Sequence, residues 1–391
     1  MPLPLRALAV SLIFGFTVLA GPAVADVLPP LDLSLLLLQR LAAQEKTGNA
    51  ALSPYSVENI LGMLEEGADW TTRKTLDQSL GIDGEAGFAR YHEARKQSRL
   101  DLLGKHDEVR LDIADALWVS PELQVKPDFT TALTTAYDAK IATIDFGSEQ
   151  ALPEINGWVK AKTGGAIDGI IQELPRDTGF VLADALYFKA AWSVPFDPAE
   201  TAATPFKPES GAPHPVASMK RKGDYAYWEG SFGQAVRLDY ADPRFFMAVL
   251  LPSAKAPKML IDRGLLTGLF NPEKFAHREG TLALPRFRLD TSFRLEKMLA
   301  ENGFSQLFGN DSHFGQLSQN PFRIDAVIHR VAMVVEEHGT EASAATAVLS
   351  TRSLLGPPPF SMICDRPFFI VVGDTKTGAA LFLAKIGDPA P

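Results

Sequence analysis

Seven histidines and a single cysteine are the residues of this chain best suited to catalysis or metal binding, and their placement argues against both. The histidines are scattered, and no two stand at a spacing that would bring them to one metal ion. Cys364 lies in the apolar stretch 360–370, the setting of a buried and inert thiol rather than of a nucleophile. No two glycines are separated by a single residue, which excludes a Gly-x-Gly-x-x-Gly dinucleotide loop. A Gly-x-x-x-x-Gly-Lys phosphate cradle, His-Glu-x-x-His and a Gly-x-Ser-x-Gly elbow are also missing, and no serine precedes a lysine by three residues. A hydrolase therefore has little support. Lys220-Arg221-Lys222 is too short to make a nucleic-acid surface on a chain of net charge −9 and pI near 5.4.

What stands out is a stretch poor in chemistry. Residues 339–351 carry one charge, Glu341, with no proline and nothing larger than leucine. Counted by strand parity, Thr340, Ala342, Ala344, Thr346, Val348 and Ser350 share a face without charge. Such a segment can lie as a loop or slide into a sheet with only small neutral groups facing the core. Its plain alternative is an alanine-rich linker, stopped by Gly356-Pro357-Pro358-Pro359. Just before it, residues 326–337 alternate as a strand, with Val327, His329, Val331, Met333 and Val335 on one face.

The elements that must position this segment come next. Residues 1–25 hold one early Arg, an apolar run and Ala-Val-Ala before Asp26, the pattern of an export signal cleaved after Ala25. The apolar run is too short to span a bilayer, and no later segment is apolar enough. A secreted or periplasmic protein is expected, held by its core alone, because one cysteine permits no internal disulfide. Helical periodicity predicts helices over 31–46, 56–66, 71–80, 86–104, 126–138 and 148–163. Strands are predicted around 109–113 and over 141–146, 181–189, 245–251, 281–289, 326–336, 367–372 and 379–386. Helices dominate the first half and strands the second, an α+β pattern with no repeat and no linker that would split the 391 residues. One large domain over 26–391 is expected.

Here the residues resemble a known family, the serpins. Glu337-His338-Gly339-Thr340-Glu341-Ala342-Ser343-Ala344-Ala345-Thr346 is similar to the family's reactive-loop hinge. Asn49-Ala50-Ala51-Leu52-Ser53-Pro54-Tyr55-Ser56, Ala183-Asp184-Ala185-Leu186-Tyr187-Phe188-Lys189-Ala190-Ala191-Trp192, Leu284-Pro285-Arg286-Phe287 and Asp365-Arg366-Pro367-Phe368-Phe369 resemble four further family stretches in the expected order. The resemblance implies a serpin fold: a large central mixed sheet, two further sheets, eight or nine helices and an exposed reactive loop at about 338–360. It also implies a bacterial secreted member, a target protease as covalent partner, a monomer able to form loop–sheet polymers, and no cofactor or metal.

Inhibitory serpins are cleaved in the loop as far as the acyl-enzyme, and the freed loop then enters the central sheet, a case of strand addition. Counting along the hinge places the scissile bond near Arg352, Ser353 or Leu354. Arg352 suits a trypsin-like enzyme, and Leu354 or Leu355 a chymotrypsin- or subtilisin-like one. The rival implication is a non-inhibitory carrier or binding protein of the same fold. The resemblance further implies a shutter of Ser53, Ser56, Asp184 and His329, and a breach of Trp192, Arg286 and Glu337. Asp184 replaces the usual Asn. The expectation is a charged Asp184–His329 pair, with a neutral core histidine as the alternative, and an Arg286–Glu337 ion pair worth about 0–1 kcal/mol.

Overall fold

The computed structural model describes residues 28–106, 108–256, 260–309, 313–339 and 357–389, and the leader expected over residues 1–25 lies outside them. Helix α1 (Pro30–Gln44) leads to strand β1 (Ala50–Leu52), followed by α2 (Pro54–Gly67), α3 (Trp70–Leu80) and α4 (Gly84–Leu102). Next come β2 (Val109–Val119), α5 (Pro127–Tyr137), β3 (Lys140–Thr143), α6 (Ala151–Lys162) and β4 (Phe180–Ala190). Strands β5 (Ala202–Phe206), β6 (His214–Gly230), β7 (Gly233–Asp239) and β8 (Phe245–Pro252) precede α7 (Arg263–Phe270). The chain closes with β9 (Ala276–Pro285), β10 (Phe287–Arg294), the short α8 (Glu296–Leu299), β11 (Ala326–Val335), β12 (Phe360–Ile363), β13 (Phe368–Asp374) and β14 (Ala380–Ile386).

The six helices expected from periodicity are α1 to α6. Proline at the first turn of α1, α2 and α5 presets φ where no N–H is needed, and the Ser53 hydroxyl accepts the Ser56 N–H to cap α2. The 281–289 strand is corrected: β9 and β10 are separate strands in different sheets, parted at Arg286. β5, β6, β7, β12 and α7 have no counterpart in the sequence reading.

A mixed five-stranded sheet runs β10–β11–β4–β2–β3, with β4 parallel to β11, β2 parallel to β3 and the other pairs antiparallel. The remaining nine strands follow the order β1–β14–β13–β8–β7–β6–β9–β12, with β5 on β6. β6 joins what would otherwise be two sheets, because 226–230 pair with β7 while 218–227 pair with β9. Strand alternation divides the core. On β4, Val181, Ala183 and Ala185 pack toward α6, whereas Leu186 and Phe188 pack inward against Val249, Leu284 and Phe382 of the nine-stranded sheet. No helix among the described residues is long and apolar enough to cross a membrane.

β12 is held at an edge by aromatic packing. The Phe360 ring stacks on Tyr227 at 4.1 Å and meets Tyr225 edge-on at 5.6 Å. It rests on bare backbone at Gly280, where a Cβ would come within 2.2 Å of the ring. Phe360→Ala is expected to lower unfolding stability by about 3 kcal/mol, read as a fall in urea midpoint at unchanged slope.

Candidate functional site

The site is built around the seam between β4 and β11, which pair directly from Val181–Ala326 to Phe188–Met333. At the top of the seam the chain leaving β11 reverses through Glu337 and His338. Glu336 N–H donates to the Gly339 carbonyl at 2.8 Å, and Gly339 N–H returns a bond to Glu336 at 3.1 Å. On its other side Gly339 bridges Ala191 in antiparallel register, while Trp192 N–H donates to the His338 carbonyl at 3.0 Å. Gly339 therefore sits between the ends of β11 and β4 and runs antiparallel to both. Only glycine fits: φ is +129°, and a Cβ would lie 2.2 Å from the Ala190 carbonyl oxygen.

Trp192, Arg286 and Glu337 converge here as the resemblance implies. The Trp192 indole N–H donates to the Glu336 carbonyl at 3.0 Å, and its ring stacks on Tyr240 at 4.6 Å. Arg286 reaches Glu337 at 3.6 Å and Glu336 at 3.8 Å. The guanidinium is nearly half exposed, so this divided pair is worth at most about 1 kcal/mol. Glu337 is better held by Thr201, whose hydroxyl donates to it at 2.7 Å. Thr201 and Tyr240 were not found from the sequence, and nothing in their local spacing distinguishes them.

Midway down the seam lies the shutter. Ser53, Ser56, Asp184 and His329 are all buried together. His329 Nε2 accepts the Ser53 backbone N–H at 3.0 Å, so that nitrogen carries no proton. Nδ1 must then hold the proton and donate to Asp184 Oδ1, 2.6 Å away. This corrects the charged pair in favour of its alternative. Burial pushes the imidazole down to about 3, against a weaker pull upward from Asp115. Asp115 on β2, directly opposite Asp184, was also missed. Its signal is a carboxylate inside the unbroken buried run 113–119.

Where the described chain resumes, it is anchored by Arg278, whose Nε donates to the Pro358 carbonyl at 2.9 Å, and by the stacking of Phe360 on Tyr227. The hinge residues Thr340, Glu341, Ala342, Ser343, Ala344, Ala345 and Thr346 lie outside the described residues, as do the bond candidates Arg352, Ser353 and Leu354. Burial pushes the Cys364 thiol up, in keeping with an inert cysteine. Among the described residues no cluster of three His, Cys, Asp or Glu could hold a metal ion.

A sequence model of the family described as Serpin (serine protease inhibitor) matches residues 30–389. Iripin-2 of Ixodes ricinus is 29% identical over 346 residues, covering 86% of this chain and 87% of that protein. Neuroserpin of Homo sapiens is 26% identical over 398 residues, covering 96% of each. A serpin-like protein of Thermococcus kodakarensis is 29% identical over 348 residues, 87% of this chain and 81% of its own. These relatives come from animals and an archaeon and lend no support to a bacterial source. Crystal structures of human thyroxine-binding globulin in complex with thyroxine (TM-score 0.83, 23% identity, 93% and 98% covered) and of Manduca sexta serpin-12 (0.80, 20%, 92% and 98%) share the fold.

A lowered histidine pKa means that the unfolded chain binds the proton first, so the His329 contribution is complete above about pH 6.5 and is lost as pH falls toward about 3. ¹⁵N NMR of labelled histidine is expected to find one neutral, Nδ1-protonated ring at pH 5. A midpoint near 6.5 for every histidine would contradict the assignment.

Proposed function

The chain belongs to the serpin family, and on that premise we propose that it is a suicide-substrate inhibitor of serine proteases rather than a catalyst. In this reading it is exported after removal of residues 1–25, works as a monomer in a secreted or periplasmic setting, and presents 338–360 as bait. In the same reading cysteine proteases form a second target class, and loop–sheet polymers an off-path state.

The observation that carries the reading is the position of Gly339. One residue already bridges both strands that an entering loop would have to separate, in the antiparallel sense that entry requires. Continuing that register down the seam aligns Thr340 with Ala190 and Val335, Ala342 with Phe188 and Met333, and Ala344 with Leu186 and Val331. Those partners face the core, and the side chains that would join them are small and neutral. Glu341, the one charge, aligns with Lys189 and Val334 on the opposite, half-exposed face. Thr346 aligns with Asp184 and His329, where its hydroxyl can bond to both once the strands part. About a dozen residues inserted in this way would gain roughly a dozen hydrogen bonds at about 0.5–1.5 kcal/mol net each. A buried charge or bulky group would erode that gain. The alignment supplies none.

The reading is tested by incubating the protein with trypsin, elastase, subtilisin and a papain-like protease. An adduct that survives SDS is expected with at least one serine protease, and sequencing the released fragment identifies the bond as following Arg352, Ser353 or Leu354. Clean loop cleavage with free protease in every case would point instead to a binding or carrier role. Thr340→Arg should convert inhibitor to substrate, because a guanidinium would have to enter the core face. Undiminished inhibition by that variant would overturn insertion.

A further inference from the structure

The row of side chains through the shutter holds more acid than its visible cations can neutralise. Asp115 and Asp184 stand directly opposite one another on adjacent strands β2 and β4, and both are buried. Arg99 of α4, itself buried, donates to Asp115 Oδ2 at 2.5 Å and to the Ile113 carbonyl at 3.2 Å. It supplies one positive charge for two carboxylates. His329 cannot supply another, since its Nε2 lone pair takes the Ser53 N–H. Asp184 Oδ1 receives the Nδ1 proton of that ring, which leaves Asp184 Oδ2 and Asp115 Oδ1 buried without a partner when both acids are ionised.

The other ionisable neighbours do not close the gap. Tyr55 on α2 is buried and held neutral by that burial. Arg95 on α4 is committed to Glu58 and Asn59, and Asp138 near Arg99 adds negative charge. An uncompensated buried carboxylate is costly, and two acids side by side relieve the cost by keeping one proton between them. The geometry points to a single proton shared by Asp115 Oδ1 and Asp184 Oδ2, a pH-sensitive clasp that binds β2 to β4 beside the seam and is released as the solution becomes alkaline. With it the set Arg99, Asp115, Asp184 and His329 is neutral, and every carboxylate oxygen in it is satisfied. Burial raises both acids above the ordinary carboxylate range, and on Asp115 the neighbouring Asp184 adds to the effect while Arg99 opposes it.

The sign follows from linkage. A carboxyl with a raised folded pKa holds its proton in the folded chain after the unfolded chain has lost it. Its contribution is complete below the ordinary value near 4 and disappears as pH rises through the folded value. Asn at either position would make the same bridge through its amide without titrating. The test needs no protease, so its outcome is separate from that of the inhibition assay. Infrared spectra of the full chain in D₂O at neutral pH should contain the carbonyl stretch of a protonated carboxylic acid, fading as pH is raised and missing from Asp115→Asn and Asp184→Asn. The unfolding constant of the wild type should rise with pH relative to Asp184→Asn by up to about tenfold per pH unit above about pH 4. If an Asn variant fails to fold, the wild-type band and its titration decide the matter alone. Absence of the band from wild type, its persistence in a folded Asn variant, or parallel pH profiles would overturn the shared proton.

Discussion

Everything in this fold is arranged around one pairing, the direct parallel contact of β4 with β11. Parallel ladders are slightly weaker per residue than antiparallel ones, and here the pair lies in the middle of a sheet covered on both faces. Both strands also pack against the layer on each side. The inward layer packs on the nine-stranded sheet, and α6 covers the outer face with Ile155 and Val159 against the small Ala183 and Ala185. The insertion proposed above would have to part this ladder, the weaker kind of pairing, while each strand keeps its packing on the layers beside it.

The buried polar row across the same seam serves a different end. A hydrophobic row would hold the strands at least as well, since buried charges are weak evidence for stability. A row of hydrogen-bonding groups instead fixes register: His329 reaches Ser53 with one nitrogen and Asp184 with the other, and a slip of β11 by one residue would lose both. The seam is thus exact in alignment while modest in strength.

Much of this was legible from residue order. Helices α1 to α6 and strands β4 and β11 declare themselves by the pattern of their apolar residues. The long β6 with β5 and β7 did not, because their outward faces carry polar residues such as Lys220 and Lys222. The break at Arg286 was hidden because β9 and β10 run on with barely a gap, and only tertiary context sends them to different sheets. Asp184 and His329 do meet, and of the two protonation states left open from the sequence the hydrogen bonds favour the neutral ring. That outcome is set by a backbone N–H of Ser53, and a backbone donor leaves no trace in residue type.

The pairing of β1 with β14 has its own consequence. Ala50, Ala51 and Leu52 find their partners at Lys385, Ala384 and Leu383, so the first strand closes on the last. Asn49 adds bonds to Gly387 and Asp388, just beyond β14. The larger sheet is complete only when residues more than 300 positions apart have met, and contacts of that separation make for slow closure. Until β14 has been made, β1 has no partner on that side and the larger sheet keeps an open edge.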